Sequence, residues 1–301
     1  MNTAAKKISE NDFPALHGSA SRASVSAQAE FVFLVRLALG LLIIGTVPNV
    51  FRDISPDLRD VLLWGTAIAL LFSVIVFVAI RLRKREKIWF AARALAESTK
   101  TMSWRYMMVA DPYGHGDQNA VDQKLRSDLV RLIETEKEVF GSMEAATAGA
   151  SQITVKMKAI RSSDYRVRLS TYIDSRIRDQ QSWYSTKAKL NRKLSNIFFW
   201  VILGSQFAAV IAAFVQAAKP TSPVYLSGLL AAIATALVAW TQMRRHEDLS
   251  KSYSLATHEL AGILSQSEHI SSDKALADFV GDAENAVSRE HTLWVARRDT
   301  R

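Results

Sequence analysis

The sequence predicts an all-α integral membrane protein with two transmembrane helical hairpins, four spans in all, and a cytoplasmic helical bundle. Three observations predict this fold: four long apolar stretches, the absence of charge in three of them, and a 3.6-residue apolar periodicity in the segments between them. The predicted spans are Phe31–Phe51, Val61–Ile80, Ser195–Ala218 and Ser222–Met243. A helix of about 20 apolar residues crosses a hydrocarbon core about 30 Å thick, and each stretch reaches or closely approaches that length.

The last three stretches contain no Asp, Glu, Lys or Arg. One such residue at mid-span costs about 2.5 to 3.5 kcal/mol on insertion scales, so the absence of charge favours membrane spans. The first stretch carries Arg36 near its start and Pro48 near its end, which leaves a buried core helix as the alternative there. Because Arg36 can extend its side chain to the interface and an apolar hairpin partner follows directly, a span is the preferred interpretation.

Basic residues cluster at one end of each predicted hairpin. They are Arg81, Arg83, Lys84, Arg85 and Lys87 after the second span, Lys187, Lys189, Arg192 and Lys193 before the third, and Arg244 and Arg245 after the fourth. The positive-inside rule therefore predicts a multi-pass membrane protein with both termini and the middle region in the cytoplasm. The same clusters explain the net charge of +9 and make the lipid bilayer, not nucleic acid, the expected partner.

The first 30 residues are rich in Ala and Ser and lack the apolar core of a secretory signal. We therefore expect a disordered or weakly helical cytoplasmic tail over this segment. The chain contains no cysteine, which excludes disulfides, thiolate metal sites and thiol catalysis.

The segments outside the spans show helical periodicity. We expect helices over about 88–110 as a continuation of the second span, over 121–140, and over 164–193 leading directly into the third span, with two further apolar stripes after the fourth. A Gly-, Ala- and Ser-rich break divides the chain into halves. The predicted organisation is a tail (1–30), a first two-span module (31–140), a linker (141–151) and a second two-span module (152–301).

Three groups of residues resemble a known family. They are Arg93-Ala94, Glu97-Ser98, Thr101 and Trp104-Arg105-Tyr106; Asp179-Gln180, Trp183-Tyr184, Lys187-Ala188 and Asn191; and Ala283-Glu284, Ser288-Arg289-Glu290-His291 and Trp294. In this order, around two hairpins, they resemble paired SLATT domains, the SMODS- and SLOG-associating two-transmembrane effector domains of prokaryotes. The resemblance covers about residues 30–298, with one two-span module in each half.

The resemblance implies a membrane effector of prokaryotic conflict and antiviral defence systems, which forms pores or perturbs the membrane when activated. It also implies a separate nucleotide-sensing or nucleotide-synthesising partner, because no sensor domain is evident in this sequence. Four helices packed about 8 to 10 Å apart leave no continuous water path between them. A conducting state therefore needs several subunits, and we expect a homo-oligomer.

Small residues recur at every fourth position in the third span (Gly204, Ala208, Ala212) and in the fourth (Gly228, Ala232, Ala236). Such faces let helix backbones approach closely, either within the hairpin or between subunits. The polar candidates in these two spans are Ser205, Gln206, Ser227 and Thr235. Because a primary amide in hydrocarbon needs a partner, Gln206 is expected either to bond across helices or to line a water-filled lumen.

Aromatic and charged residues of the resemblance are candidates for coupling the cytoplasmic helices to the hairpins. They are Trp104, Arg105, Tyr106, Asp179, Gln180, Trp183, Tyr184, Arg289, Glu290 and His291. The alternative for the aromatic residues is packing within the bundle, and for the last three residues it is structural contacts between charges. The sequence holds no recognisable catalytic, metal-binding or cofactor-binding motif and predicts neither an enzyme nor a cofactor.

Two functions are consistent with these features. The first is an oligomeric four-span effector whose cytoplasmic helices gate a pore. The second is a non-conducting membrane anchor or scaffold that recruits a cytoplasmic partner. Replacement of Gln206 and Thr235 by leucine distinguishes them, because a scaffold tolerates the change and a pore lined by these residues does not.

Overall fold

The computed structural model describes residues 7–51, 56–135, 139, 141, 143, 151–219 and 224–299, with side chains as far as Val287 in the last helix. Within this part of the chain the secondary structure is helical, without a strand. The α-helices are α1 (Ala15–Val50), α2 (Arg59–Arg83), α3 (Arg85–Met107), α4 (Gln118–Thr135), α5 (Val155–Arg161), α6 (Tyr165–Tyr172), α7 (Arg178–Ala218), α8 (Leu226–Arg244), α9 (His246–Gln266) and α10 (Asp273–Asp299). A π-helical turn, Ile173–Ile177, joins α6 to α7.

Four helical runs are long and apolar enough to cross a membrane: Ala15–Val50, Arg59–Met107, Tyr165–Ala218 and Leu226–His269. Large apolar side chains on them face outward; Trp64 and Phe214, for example, are both 72% exposed. So extensive an apolar surface is unfavourable in water and suits a hydrocarbon solvent. The predicted fold class is confirmed: the chain is an all-α, multi-pass membrane protein.

The chain forms two compact units. The first, here called the core unit, comprises Met1–Gln28, Arg85–Ser185 and Leu255–Arg301; the second, here called the span unit, comprises Ala29–Lys84 and Thr186–Ser254. Each unit therefore takes segments from both halves of the sequence. The predicted module and linker boundaries stay a prediction, and most of the linker, 142 and 144–150, lies outside the described residues.

In the span unit, α1 packs against α2. The hydroxyl of Ser73 donates to the carbonyl oxygen of Ala38 at 3.2 Å. A Cβ built on Gly45 would lie 3.2 Å from the side chain of Leu70, so the absence of a side chain at Gly45 permits this close approach. Small and hydroxyl-bearing residues thus lie at the contact between α1 and α2, as is usual for helices that pack in lipid.

The second hairpin of the span unit is joined at both ends by polar contacts. Near its turn, the Ser227 hydroxyl donates to Oε1 of Gln216 at 2.6 Å. At its other end, Nδ1 of His246 lies 2.8 Å from Oδ1 of Asn191, and the His246 ring stacks on Phe198 at 5.7 Å. These contacts set the register of α7 against α8 and the start of α9.

In the core unit, α3 is the central helix and packs against α4, α5 and α10. Leu95, Thr99 and Tyr106 follow the helical repeat along one face, and Trp104 lies on the opposite face; all four are fully buried. The short helix α5 was not predicted from the sequence, because seven residues are too few to show a clear periodicity.

The prediction of a disordered tail is wrong for the described part beyond residue 14, because α1 begins at Ala15. Its first turns bury Leu16, Ala20, Ala23 and Ala27, which recur at intervals of three or four residues. The preceding Phe13 is 5% exposed and packs on Trp104. Alanine buries little area per residue, so an Ala- and Ser-rich sequence resembled a solvated tail although it forms a packed helix face.

The prediction that the second span continues as one unbroken helix is also wrong. Lys84 separates α2 from α3 and adopts the left-handed conformation, with φ 47° and ψ 27°. Arg245 does the same between α8 and α9, with φ 50° and ψ 44°. Each hairpin is therefore followed by a helix break inside its basic cluster, whereas α7 continues without interruption into the third span. The helix predicted over 121–140 ends at Thr135, and 136–138 and 140 lie outside the described residues.

Candidate functional site

The core unit contains a buried ion pair between Arg176 and Glu284. Nε of Arg176 donates to Oε1 at 2.9 Å and Nη2 donates to Oε2 at 2.8 Å, in a bidentate geometry. The two side chains are 1% and 0% exposed. Charges removed this completely from water are stable only when the geometry is good and the remaining lone pairs are satisfied.

Two hydroxyl groups complete the environment of the Glu284 carboxylate. Tyr172 donates to Oε1 at 2.9 Å and Thr101 donates to Oε2 at 2.7 Å. Burial and the neighbouring Glu284 hold the pKa of Tyr172 well above its usual value, so this hydroxyl stays a donor. Burial alone would lower the pKa of Arg176, but the Glu284 carboxylate outweighs burial and raises it. Four donors therefore converge on one carboxylate.

The π-helical turn brings two of these donors together. Tyr172 immediately precedes the turn and Arg176 lies within it, and both side chains point at Glu284 on α10. A π turn contains one more residue than an α turn, so it shifts the face presented by the helix that follows. Beyond it, Asp179 is exposed and pairs with Lys7 at 2.7 Å.

Trp104 forms one wall of this site, which we call the buried carboxylate centre (Thr101, Trp104, Tyr172, Arg176 and Glu284). Its ring is fully buried and meets Tyr172 edge-on at 5.4 Å. The indole Nε1 and Nη1 of Arg176 have no hydrogen-bond partner within the described part of the chain. Two buried donors thus stay unsatisfied beside an otherwise complete hydrogen-bond network.

A second polar cluster of the core unit surrounds Arg161. Its guanidinium donates to the carbonyl oxygens of Tyr106, Tyr113 and Gly114, each at 2.7 Å, and so fixes the loop between α3 and α4. The Tyr106 hydroxyl donates to Asp122 at 2.6 Å, and burial together with this carboxylate raises the pKa of Tyr106. Sequence reasoning missed Arg161 because it lies on the unpredicted helix α5.

The remaining coupling candidates are spread over the core unit. Arg105 is half-buried and donates from Nη2 to Asn285 at 2.7 Å. Gln180 and Trp183 are half-buried, and Tyr184 is buried and meets Trp183 edge-on at 5.2 Å. The side chains of Arg289, Glu290 and His291 lie outside the described residues.

A cavity of about 750 Å³ opens beside Arg105, between the loop after α3 and the first half of α10. The cavity is lined by the basic residues Arg105, His115 and Lys274 and by the acidic residues Asp273 and Asp282, among others. Nε2 of His115 lies 3.3 Å from Asp273. A cavity of this volume, lined by charges of both signs, can hold a ligand with several polar groups.

Three of the four polar span candidates are satisfied inside the span unit. Ser205 and Thr235 donate to carbonyl oxygens one turn earlier, those of Val201 at 2.8 Å and Ala231 at 2.9 Å, and Ser227 bonds to Gln216. Gln206 differs, because its side chain is exposed and has no hydrogen bond to any described residue. The interhelical bond considered for Gln206 is thus not formed within the described part of this chain.

The small-residue faces are partly open. A Cβ built on Gly204 or Gly228 would meet no atom within 4 Å. Ala236 is buried, whereas Ala208, Ala212 and Ala232 are half-buried. Close packing within the described part of the chain therefore does not account for the glycines.

Comparison with protein families decides what these modules are. Residues 14–169 match the family model described as SMODS and SLOG-associating 2TM effector domain 3, and residues 172–294 match SMODS and SLOG-associating 2TM effector domain 1. The chain is a tandem SLATT protein. The resemblance inferred from its sequence is confirmed, and SLATT domains are two-transmembrane effector domains associated with conflict systems. No curated protein and no solved structure matches the chain.

The buried carboxylate centre of this SLATT protein takes residues from both modules. Thr101 and Trp104 belong to the first, and Tyr172, Arg176 and Glu284 belong to the second. The two family matches adjoin at residues 169 and 172, directly before the π turn. Side chains of the two SLATT modules therefore contact each other at the buried carboxylate centre.

Proposed function

We propose that this SLATT protein is the membrane effector of a prokaryotic defence system. As a homo-oligomer in the inner membrane, with both termini in the cytoplasm, it opens a pore or perturbs the bilayer when a separate partner signals. It acts by changing the membrane, not by catalysis. The family assignment, the outward-facing apolar helices and the flanking basic clusters support this proposal.

One observation carries the proposal of a pore. Gln206 lies in a span free of charged residues, is exposed, and has no hydrogen bond to a described residue. An amide facing hydrocarbon without a partner costs several kcal/mol, roughly 2 to 7 by transfer measurements. Water in a lumen, or a second copy of the chain, removes that cost, and both require an oligomer.

The open glycines support assembly between copies. Gly204 and Gly228 leave room that no side chain of the protomer occupies. Helices in lipid associate through such small residues, because backbones approach closely there. On a helix of 100° per residue, Gln206 is about 200° from Gly204, so one face can contact a neighbour while the other faces a lumen.

The buried carboxylate centre is the proposed coupling element. It lies directly before α7, and α7 continues without a break from the π turn to the end of the third span. A rigid helix carries a rotation at one end to the other. A partner that breaks the contacts of Glu284 would release the π turn and rotate Gln206.

The test is the membrane potential of bacteria that express the chain, followed with a potential-sensitive dye. We expect depolarisation by the wild type, most of which is lost in Gln206→Leu. Ser205→Ala is the matched control, because the neighbouring Ser205 is satisfied by its own helix and its loss leaves the potential response unchanged. Full activity of Gln206→Leu, or no depolarisation by a correctly inserted wild type together with its partner, contradicts a pore.

The mixed-charge cavity beside Arg105 favours a second candidate function, a non-conducting anchor that recruits a cytoplasmic protein. An anchor tolerates the combined Gln206→Leu and Thr235→Leu change. It loses function when Arg105 and Lys274 are replaced by glutamine, and its loss is measured as release of the partner from membranes. The two candidates thus differ in which pair of substitutions inactivates the protein.

A further inference from the structure

One face of α7 forms an open cavity of about 580 Å³ in the span unit, where the polar start of the helix meets its apolar part. The lining includes Lys189, Arg192, Lys193, Asn196, Ile197 and Trp200. These residues recur at intervals of three or four, so they lie along one side of a single helix. No other function described above uses this surface.

The three cations of the cavity are left without compensation. Two basic residues at other span boundaries have acidic partners: Arg83 pairs with Glu30 at 2.7 Å, and Arg245 pairs with Asp248 at 2.8 Å. The side chains of Lys189, Arg192 and Lys193 have no acidic or hydrogen-bond partner anywhere in the described chain. Three clustered positive charges with no counter-charge favour an anionic ligand.

The chemistry of the cavity changes in order along the helix. Positive side chains come first, then the amide of Asn196, then the exposed apolar surface of Ile197 (44%) and Trp200 (67%). From Arg192 to Trp200 the helix rises about 12 Å, which spans the polar interface of one leaflet and enters its hydrocarbon. A phospholipid presents the matching order of phosphate, ester and acyl chain.

We propose that this cavity binds an anionic phospholipid. The phosphate lies between Arg192 and Lys193 with Lys189 beside it, the ester carbonyls accept from the amide of Asn196, and an acyl chain packs on Ile197 and Trp200. A free phosphate or a soluble anion satisfies the charges but leaves the apolar half of the cavity empty. The continuity of the two halves therefore selects a lipid as the occupant.

The decisive experiment is native mass spectrometry of the detergent-purified chain, titrated with phosphatidylglycerol or with phosphatidylcholine. We expect Arg192→Gln/Lys193→Gln to weaken phosphatidylglycerol binding about thirty-fold, because each basic residue near a headgroup contributes about five-fold. Arg81→Gln/Lys84→Gln is the matched control. It also removes two positive charges at the end of a span, but the part of the second span next to Arg81 contains no tryptophan. Phosphatidylglycerol binding by this control should stay within about two-fold of wild type, because neither residue lines the cavity. Equal weakening in both double variants overturns the proposal.

Two further arms separate the possible sources of the phosphate. Inorganic phosphate and glycerol phosphate should not displace the lipid, and displacement by either overturns the assignment to a lipid. Trp200→Leu keeps every charge and remains informative should the double variant fail to fold. It should reduce the preference for long-chain over six-carbon phosphatidylglycerol, and an unchanged preference overturns the placement of the acyl chain.

Discussion

Two side chains of the buried carboxylate centre, Arg176 and Glu284, contribute strongly to the stability of the core unit. Arg176→Met leaves the Glu284 carboxylate buried without its counter-charge, and Glu284→Gln leaves the guanidinium unpaired. We expect each to destabilise the core by about 3 to 5 kcal/mol, and the double variant Arg176→Met/Glu284→Gln to cost less than the sum. The measurement is thermal unfolding in detergent. Glu247→Gln, which removes an exposed partner of Lys251, is the control and should leave the midpoint almost unchanged. Additive losses in the double variant would contradict a coupled pair.

The ion pair could not be predicted from the sequence. Its partners are 108 residues apart, and residue spacing reports only which side chains share a face of one helix. Tyr172 and Arg176 contact Glu284, whereas Asp179, three residues further on, is exposed and pairs with Lys7. Trp104 and Tyr106 were recognised as important aromatic residues, and their full burial agrees with the packing alternative.

Whole helices were more predictable than their ends. The four spans follow from uninterrupted apolar length, a property that no tertiary contact needs to supply. The helix from Ala15 and the short α5 were missed, because an Ala-rich face and a seven-residue helix carry weak periodic signals. The breaks at Lys84 and Arg245 were missed because neither position carries the glycine that usually marks a left-handed residue.

The left-handed backbone at Lys84 leads us to predict that glycine stabilises the protein at this position. Lys84 has φ 47°, a conformation that costs a residue with a Cβ about 1 to 2 kcal/mol and costs glycine little. Glycine also increases the conformational entropy of the unfolded chain, which offsets part of this gain. Lys84→Gly should therefore raise the free energy of unfolding by up to about 1 kcal/mol. Arg126→Gly, in the interior of α4, should instead lower it by about 1 kcal/mol. Both are measured as thermal midpoints in detergent. Equal losses in the two variants would show that α2 and α3 are not separated at Lys84.

At the level of the whole molecule, the family could be predicted from an ordered set of residues, which no single motif supplies. The contact between the two modules could not be predicted from the sequence, because Thr101 and Glu284 come together only in the folded chain. The composition of the core unit from three separate chain segments is likewise a tertiary property. The proposed assembly of several copies cannot be read from one chain, and the feature that bears on it is the open space beside Gly204 and Gly228.

The absence of cysteine makes assembly directly testable, because any introduced thiol is the only one in the chain. Gly204→Cys places it on the open small-residue face, and Phe214→Cys places it on a side chain that is 72% exposed and about 80° away around the same helix. A disulfide forms only where two Cβ atoms approach to about 4 Å. We expect a membrane-permeant oxidant to convert Gly204→Cys, in native membranes, to a covalent dimer on non-reducing gels and to leave Phe214→Cys monomeric. Dimers from both variants would indicate random collision. Dimers from neither would show that Gly204 does not meet its counterpart in a second copy, and the support for a pore would then rest on Gln206 alone.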